Sequence, residues 1–145
     1  MPKLAAGILF YRLPPDRDEP EVLLVRGRRD RGVSPDAPVW SIPKGKRLPK
    51  EPLIDAARRE FEEETALTAP PRLIALGDVI EASGKRVAVW AADAAWSDGE
   101  PQIGQPASEI AEVSWFEAER ARRLLRPGQA PLLNRLDRLI GSGRN

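Results

Sequence analysis

Apolar residues along the chain form short runs, separated by segments rich in proline, glycine and charged side chains. The runs at residues 5–13 and 22–25 predict two strands, because short apolar stretches bounded by turn-forming residues are typical of strands. Residues 73–80 and 86–92 predict a hairpin, since a polar turn containing glycine joins them. A further apolar run at residues 113–116 predicts the last strand.

A different pattern, with apolar residues recurring three and four positions apart, begins at Leu53 and predicts a helix that ends at about Ala66. Pro52 suits the first turn of this helix, where a missing N–H does no harm. Residues 117–125 and 131–140 predict two further helices. At 145 residues the chain has room for one domain with its own core, so the pattern indicates a single α+β domain.

The predicted central helix carries three glutamates on one side. Glu60, Glu63 and Glu64 span an arc of about 100° around the helix axis. Glu60 and Glu64 repel each other across one turn, and the C-terminal half of a helix disfavours negative charge. A positive partner outside the helix must compensate, and a hard divalent cation has the required preference for oxygen ligands. The small residues Ala56 and Ala57, one turn earlier, are expected to leave space for ions and phosphate.

Composition narrows the chemistry that the chain can perform. There are 23 basic and 22 acidic side chains, so no strong basic field indicates nucleic acid as the partner. The chain has no cysteine and no histidine, which excludes disulfides, thiolate nucleophiles, Ser-His-Asp chemistry and histidine metal sites. Acid–base and metal chemistry must then use carboxylates, lysine, arginine and Tyr11. The N-terminal apolar run is too short for a signal peptide or membrane span, so we expect a cytoplasmic protein without a membrane partner.

The segment from Gly45 to Leu67 resembles the Nudix box, G-x5-E-x7-R-E-U-x-E-E-x-G-U, in which U is a bulky apolar residue. Ala66 is the one departure, because the family usually has glycine there to end the helix in a left-handed conformation. The resemblance implies a Nudix hydrolase domain over residues 1–145, with the box at 45–67, folded as an α/β/α sandwich on a mixed β-sheet. The matching positions are Gly45, Glu51, Arg59, Glu60, Phe61, Glu63, Glu64 and Leu67.

The same resemblance implies roles for the box residues. The matching glutamates of Nudix enzymes bind metal, which assigns this role to Glu60, Glu63 and Glu64, with Glu63 also a candidate catalytic residue. The backbone carbonyl near Gly45 is expected to approach the same ion, which the resemblance implies is Mg²⁺, with Mn²⁺ as the alternative. The alternative for the acidic residues is a solvated helix face without a function. The box residues expected to support the structure are Glu51 and Arg59.

Lys44 precedes the box in the segment W-S-I-P-K-G, of which residues 40–43 predict a short strand. The segment resembles the W-x-x-P-K-G sequence of Nudix enzymes that act on dinucleoside polyphosphates. This resemblance implies that Lys44 neutralises charge on a transferring phosphoryl group, with an ordinary exposed lysine as the alternative. The further candidates for binding substrate phosphate, each of which is otherwise interpreted as a solvated surface charge, are Arg26, Lys46 and Lys85.

An in-line attack of water on phosphorus needs a group that takes the proton from the water. Nudix enzymes often hold this base on a loop before the last strand. Glu109 lies six residues before Trp115 and resembles the glutamate of that loop in dinucleoside polyphosphate hydrolases. We therefore expect Glu109 to be the base, with Glu112 as the alternative.

The expected function is Mg²⁺-dependent hydrolysis of a diphosphate bond in a nucleoside triphosphate or a dinucleoside polyphosphate. Two alternatives stay open: an RNA 5′-pyrophosphohydrolase, and a catalytically silent Nudix-fold module that binds a nucleotide and regulates another process. The near-neutral charge disfavours the RNA alternative, and the three intact glutamates disfavour the silent module. The partner is then a small-molecule nucleotide, bound by a monomer or a homodimer. Substrate choice is expected to depend on the loops at residues 27–38 and 101–107.

Overall fold

The computed structural model describes residues 4–96, 99–104 and 109–143. Their strands are β1 Leu4–Arg12, β2 Glu21–Gly27, β3 Lys44–Lys46, β4 Ile74–Ile80, β5 Arg86–Asp93 and β6 Ile110–Glu117. Their helices are α1 Leu53–Thr65, α2 Ala118–Leu124 and α3 Pro131–Gly143. Short 3₁₀ turns occupy Arg28–Asp30, Ala94–Trp96 and Pro127–Gln129.

The strands form a mixed sheet in the order β4-β5-β1-β2-β6, with β3 paired to β1 outside this path. β1 runs parallel to β5, whereas the β1–β2, β1–β3, β2–β6 and β4–β5 pairs are antiparallel. The mixed sheet that the family resemblance implied is therefore confirmed. The described part of the chain contains no helix that is both long and apolar enough to cross a membrane.

Side chains of β1 alternate between the two faces of the sheet, and helices cover both faces. Ala6, Ile8 and Phe10 point to one face, where they pack with Phe61 of α1. Ala5, Leu9 and Tyr11 belong to the cluster on the other face. The residues of α2 and α3 that cover that second face are Ala121, Leu124, Leu132, Leu133 and Leu136. The α/β/α arrangement and the α+β class are thus confirmed, while the domain limits of 1–145 stay a prediction.

One predicted strand is placed differently by the structure. Residues 40–43 do not form a strand; Ser41 makes an isolated bridge with Val25, and Trp40 makes one with Leu125. The continuous pairing starts only at Lys44. Pro43 explains the break, because proline has no N–H to donate to a ladder.

The described residues 99–104, between β5 and β6, pack against the C-terminal end of α1. The N–H groups of Gln102 and Gly104 donate to the carbonyls of Thr65 and Glu64, at 2.8 and 3.3 Å, so they satisfy groups that a helix end leaves unpaired. A Cβ on Gly104 would overlap the Glu63 carbonyl, which explains why glycine stands there. Of the predicted loop 101–107, residues 105–107 lie outside the described residues.

The departure from the family pattern at Ala66 has a visible cost in the backbone. Ala66 directly follows Thr65, the last residue of α1, and has φ 63° and ψ 10°. At the other end of the helix, Pro52 immediately precedes its first residue. The left-handed conformation of Ala66 brings Cβ close to the next carbonyl, so any residue other than glycine is strained there. The predicted helix end is correct, and the chain adopts the glycine conformation without the glycine.

We predict that Ala66→Gly raises the free energy of unfolding by about 1 kcal/mol, because glycine adopts positive φ without strain. Urea denaturation followed by circular dichroism measures the change. Ala75→Gly is the matched control: Ala75 lies exposed in β4, where glycine lowers stability by about 0.5–1 kcal/mol. A stability loss in Ala66→Gly would contradict the strain assigned to this position.

Candidate active site

The site begins where β3 meets α1. β3 is held against β1 through the pairing of Gly45 with Ala6, and α1 packs against the same strand. A Cβ built on Gly45 would overlap the carboxylate of Glu60. Glycine serves here for space rather than for an unusual φ, since any Cβ would force the Glu60 carboxylate to move away from the backbone.

Arg59 connects the loop before α1 to the acidic residues on the helix. Its Nε and Nη2 each lie 2.9 Å from one carboxylate oxygen of Glu51, which makes a bidentate pair. Its Nη2 also donates to the Lys46 carbonyl at 3.0 Å. Its Nη1 lies 2.9 Å from Glu60 and 3.4 Å from both oxygens of Glu63. Every nitrogen of the guanidinium thus contacts the protein, which fits the supporting role expected for Arg59 and Glu51.

The Arg59–Glu51 pair is charged at neutral pH. Hydrogen bonds from Arg59 and from the Leu48 N–H hold the pKa of Glu51 at about 2. The hydrogen bond to Glu51 raises the pKa of Arg59 above its already high usual value. The loop at residues 46–51 is therefore fixed on α1 by a permanent ion pair.

Glu60 and Glu64 are compensated less completely than Glu51. Burial raises the pKa of Glu60, although Arg59 opposes the shift. Burial, and then the charge of Glu60, raise the pKa of Glu64 to about 8 against the opposing effect of Lys44. The backbone N–H of Lys44 donates to Oε1 of Glu64 at 3.2 Å. Burial is the larger of the two causes, so the carboxyl of Glu64 lies where its charged form is disfavoured, and the charge of Glu60 adds to this effect.

The donor set fits a hard divalent cation. Carboxylate oxygens and backbone carbonyls are the ligands such ions prefer, and Glu60, Glu63 and Glu64 supply the former on one side of α1. Within the described residues these acids do not form a ready-made metal-binding cluster. Arg59 contacts Glu60 and Glu63, and the backbone N–H of Lys44 contacts Glu64. The contacts of Glu63 with Arg59 are long, at 3.4 Å, and are therefore weak hydrogen bonds that cost little free energy to break.

A cavity of about 500 Å³ opens beside Glu64, a volume in the range of small-molecule sites. Lys44 and Glu109 line it together with Glu64. The structure therefore brings the proposed phosphate-binding lysine, one acid of the helix and the proposed base to one place. Ala56 and Ala57 do not create this space, since both are fully buried in the core below α1. That expectation was wrong because small residues on the buried face allow close packing rather than an opening.

A second cavity, of about 790 Å³, shares Lys44 with the first. Lys46 and Lys85 line it, as do Arg29 and Arg126, which also line the first cavity. The two lysines predicted to meet substrate phosphate are thus next to Lys44. Their surroundings are strongly cationic, which suits a polyphosphate.

Arg26 is not brought into the site. Its side chain is buried between strands, forms an ion pair with Glu112 on β6 and lies 5.7 Å from the centre of the Trp40 ring. Neither Arg26 nor Glu112 is among the residues lining the two cavities. The neighbouring positions of the two side chains follow from the β2–β6 register, in which Arg26 faces Glu112. Of the two candidate bases, Glu112 is engaged by Arg26, whereas Glu109 lines the first cavity.

Two polar residues near Lys44 were not predicted from the sequence. Oε1 of Glu81 lies 3.2 Å from the Lys44 ammonium, and the amide of the fully buried Gln129 reaches the other oxygen of Glu81. No motif marks either residue. Their contact depends on how the turn before α3 packs against the end of β4, which local patterns do not encode.

Comparison with protein families matches residues 1–136 to the NUDIX domain, and no curated protein matches the chain. Among solved structures, an Ap4A hydrolase binary complex from C. elegans is 26% identical, covers 97% of this chain and 98% of its own, and has a TM-score of 0.72. A MutT NUDIX hydrolase from Burkholderia pseudomallei is 26% identical, covers 94% and 98%, and has a TM-score of 0.70.

A NUDIX domain of Shewanella oneidensis NrtR, complexed with ADP ribose, is 19% identical, covers 97% of this chain and 89% of its own, and has a TM-score of 0.71. This more distant likeness concerns the fold. Nudix hydrolases generally use divalent metal ions, in keeping with the carboxylate donors on α1. The domain match over most of the chain, the hydrolase neighbours and the intact acidic positions of the box agree: the chain belongs to the Nudix family and is a pyrophosphohydrolase.

Proposed function

We propose that the protein is a Mg²⁺-dependent enzyme that hydrolyses a diphosphate bond in a nucleoside triphosphate or a dinucleoside polyphosphate. The observation that carries this proposal is the cavity in which Glu64, Lys44 and Glu109 meet. An oxygen ligand for metal, a cation for phosphate and a carboxylate for proton transfer surround one space. An activity on free nucleotides would be expected in the cytoplasm.

The residues that would hold the ion are Glu60, Glu63 and Glu64, with the backbone carbonyl near Gly45. When bound, Mg²⁺, or Mn²⁺ in its place, neutralises phosphate charge and lowers the pKa of a coordinated water. The contact between Gly45 and the Glu60 carboxylate supports this assignment, because backbone and acid approach without a side chain between them. Arg59 and Glu51 keep the loop carrying that backbone in place.

In the proposed reaction a water attacks one phosphorus atom in line with the bridging oxygen that leaves. A new P–O bond forms to the water oxygen as the P–O bond to the leaving phosphate breaks. Glu109 takes the proton from the water, and Lys44 offsets charge on the transferring phosphoryl group. Exposure of Glu109 at the rim of the cavity supports its role, as does the engagement of Glu112 by Arg26.

The cationic second cavity supports substrates with several phosphates. Lys46 and Lys85 extend the positive charge beyond Lys44, so a chain of phosphates longer than the reacting pair would be compensated. Solved relatives include an Ap4A hydrolase and a MutT hydrolase, and both substrate classes enter the proposal. The balanced overall charge offers less support for RNA as a substrate.

The test of this function is a substrate panel with product identification. Purified protein is incubated with Mg²⁺ and, separately, a dinucleoside tetraphosphate, nucleoside triphosphates, ADP-ribose and a 5′-triphosphorylated RNA, with a chelator as the control. We expect nucleotide and phosphate products from the first two classes, only while metal is present. Tight nucleotide binding without any product would favour the silent module and contradict the proposal.

We predict that Glu64→Gln lowers turnover roughly a hundredfold or more, because the amide removes the charge of a metal ligand at nearly constant shape. The fold should be retained, since glutamine has nearly the shape of the glutamate and burial already disfavours the charged form of Glu64 by raising its pKa to about 8. Steady-state kinetics at saturating Mg²⁺ measure the loss. Glu62→Gln is the matched control: Glu62 is exposed on the same helix and accepts from the Ala69 N–H, which glutamine also permits. Full activity of Glu64→Gln would refute the metal assignment.

A separate prediction concerns the base. Glu109→Gln should lower kcat roughly a hundredfold with metal affinity largely kept, because only proton transfer is removed. Glu112→Gln should lose much less activity, since it changes an ion pair with Arg26 outside the cavity. Parallel kinetics and calorimetric Mg²⁺ titrations of both variants decide between them. A larger kcat loss in Glu112→Gln would show that Glu109 is not the base.

A further inference from the structure

A path of polar contacts leads from the layer formed by α2 and α3 into the proposed site. It starts at Gln129, whose side chain is 0% exposed and which ends the turn Pro127–Gln129. Burying an amide is costly unless its donors and acceptor are paired. The partners of this amide therefore indicate what holds it in the interior.

The backbone fixes the orientation of the Gln129 amide. The Ile42 N–H can only donate, so the amide oxygen faces it, at 3.0 Å. The amide nitrogen must then face the other way, where it donates to the Ser41 hydroxyl oxygen at 3.0 Å. The Ser41 hydrogen is already given to the Ile42 carbonyl, at 2.7 Å. The amide nitrogen also lies 3.5 Å from Oε2 of Glu81, so the positive end of an N–H dipole faces that carboxylate.

Glu81 is itself held in place by the backbone. Its N–H donates to the Lys85 carbonyl at 2.9 Å, and its carbonyl accepts from the Gly84 N–H at 2.8 Å, so it closes the turn between β4 and β5. A Cβ on Gly128 would lie 2.6 Å from the Ile80 carbonyl oxygen and 3.1 Å from the Glu81 Cα. The turn that carries Gln129 is therefore packed directly on the end of β4.

The other oxygen of this carboxylate holds Lys44. Oε1 of Glu81 lies 3.2 Å from the ammonium, and the Lys44 and Glu81 side chains are 18% and 13% exposed. Lys44 lines both cavities, and its backbone N–H contacts Glu64. The main chain of Lys44 is thus tied to the acidic helix and its charged end to Glu81.

We propose that Glu81, oriented by Gln129, is a positioning residue that holds the Lys44 ammonium at the boundary of the two cavities, where it meets the phosphates of the substrate. This inference rests on the proposed function. A carboxylate in a cavity lined by Lys46, Lys85 and Arg126 repels phosphate on its own account. The ion pair with Lys44 explains why Glu81 stands there. A lysine side chain has several rotatable bonds, so without a partner its ammonium would occupy many positions.

Glu81→Gln tests the proposal, because it keeps the shape and removes the charge that holds Lys44. We expect kcat to fall roughly tenfold or more with KM changed less than about threefold, as for a group that acts on the transition state through another residue. Glu81→Asp, which keeps the charge, should recover part of the loss. If Glu81 merely repelled the substrate, Glu81→Gln would instead lower KM and leave kcat unchanged. That result would overturn the proposal.

A double-mutant cycle separates positioning from general stability. In the Lys44→Met background, Glu81→Gln should change turnover less than about twofold, since the residue on which it acts is gone. Asp78→Asn is the control on the same hairpin, where Asp78 pairs loosely with Arg86 at 3.9 Å; we expect wild-type activity. An undiminished effect of Glu81→Gln without Lys44, or an equal loss in Asp78→Asn, would overturn the positioning role.

The activity of the wild type shows whether the proposed function fails or only the positioning role of Glu81. If the wild type hydrolyses a nucleotide of the panel and Glu81→Gln is as active, only the positioning role fails. If the wild type forms no product with any substrate, the proposed function fails and the positioning role fails with it. Thermal unfolding of each variant shows whether a lost activity merely follows a lost fold.

Discussion

The structure depends above all on a surplus of negative charge where α1 meets β3. Two acids one helical turn apart, Glu60 and Glu64, are placed where burial raises the pKa of both. A helix gains nothing from this arrangement, since like charges at this spacing destabilise it. The surrounding features are those that a cation site requires: a glycine that lets backbone and carboxylate touch, a lysine at the edge and a cavity beside them.

Arg59 gives the three acids of α1 different electrostatic surroundings. Its guanidinium binds Glu51 fully and also contacts Glu60 and Glu63, so these two share one positive charge. In the part of the chain that the structure describes, the carboxylate of Glu64 accepts from the backbone N–H of Lys44 and lies near the Lys44 charge. One arginine therefore fixes the loop and moderates the charge of Glu60 and Glu63, whereas Glu64 is contacted by the backbone N–H of Lys44.

The elements and the acidic centre could be predicted from the sequence because both are local. Short apolar runs bounded by turn residues identify the strands, helical spacing identifies α1, and the box spacing places Glu60 and Glu64 on one side of that helix. Features set by contacts between distant segments were not predictable. The burial of Arg26 follows from the β2–β6 register, and the Glu81–Gln129 contact follows from packing of a turn on β4. Ala56 and Ala57 show that residue size alone does not tell a core position from a cavity wall.

The decisive test of the metal site is crystallographic. Crystals of the protein soaked in Mn²⁺ are measured at a wavelength at which manganese scatters anomalously, so that bound ions appear independently of the protein density. We predict an anomalous peak between the carboxylates of Glu60 and Glu64 and the backbone near Gly45, within coordination distance of oxygen and facing the cavity lined by Lys44 and Glu109. A peak at another place in the fold, or none at these acids at saturating Mn²⁺, would contradict the interpretation of this charge surplus as a metal site.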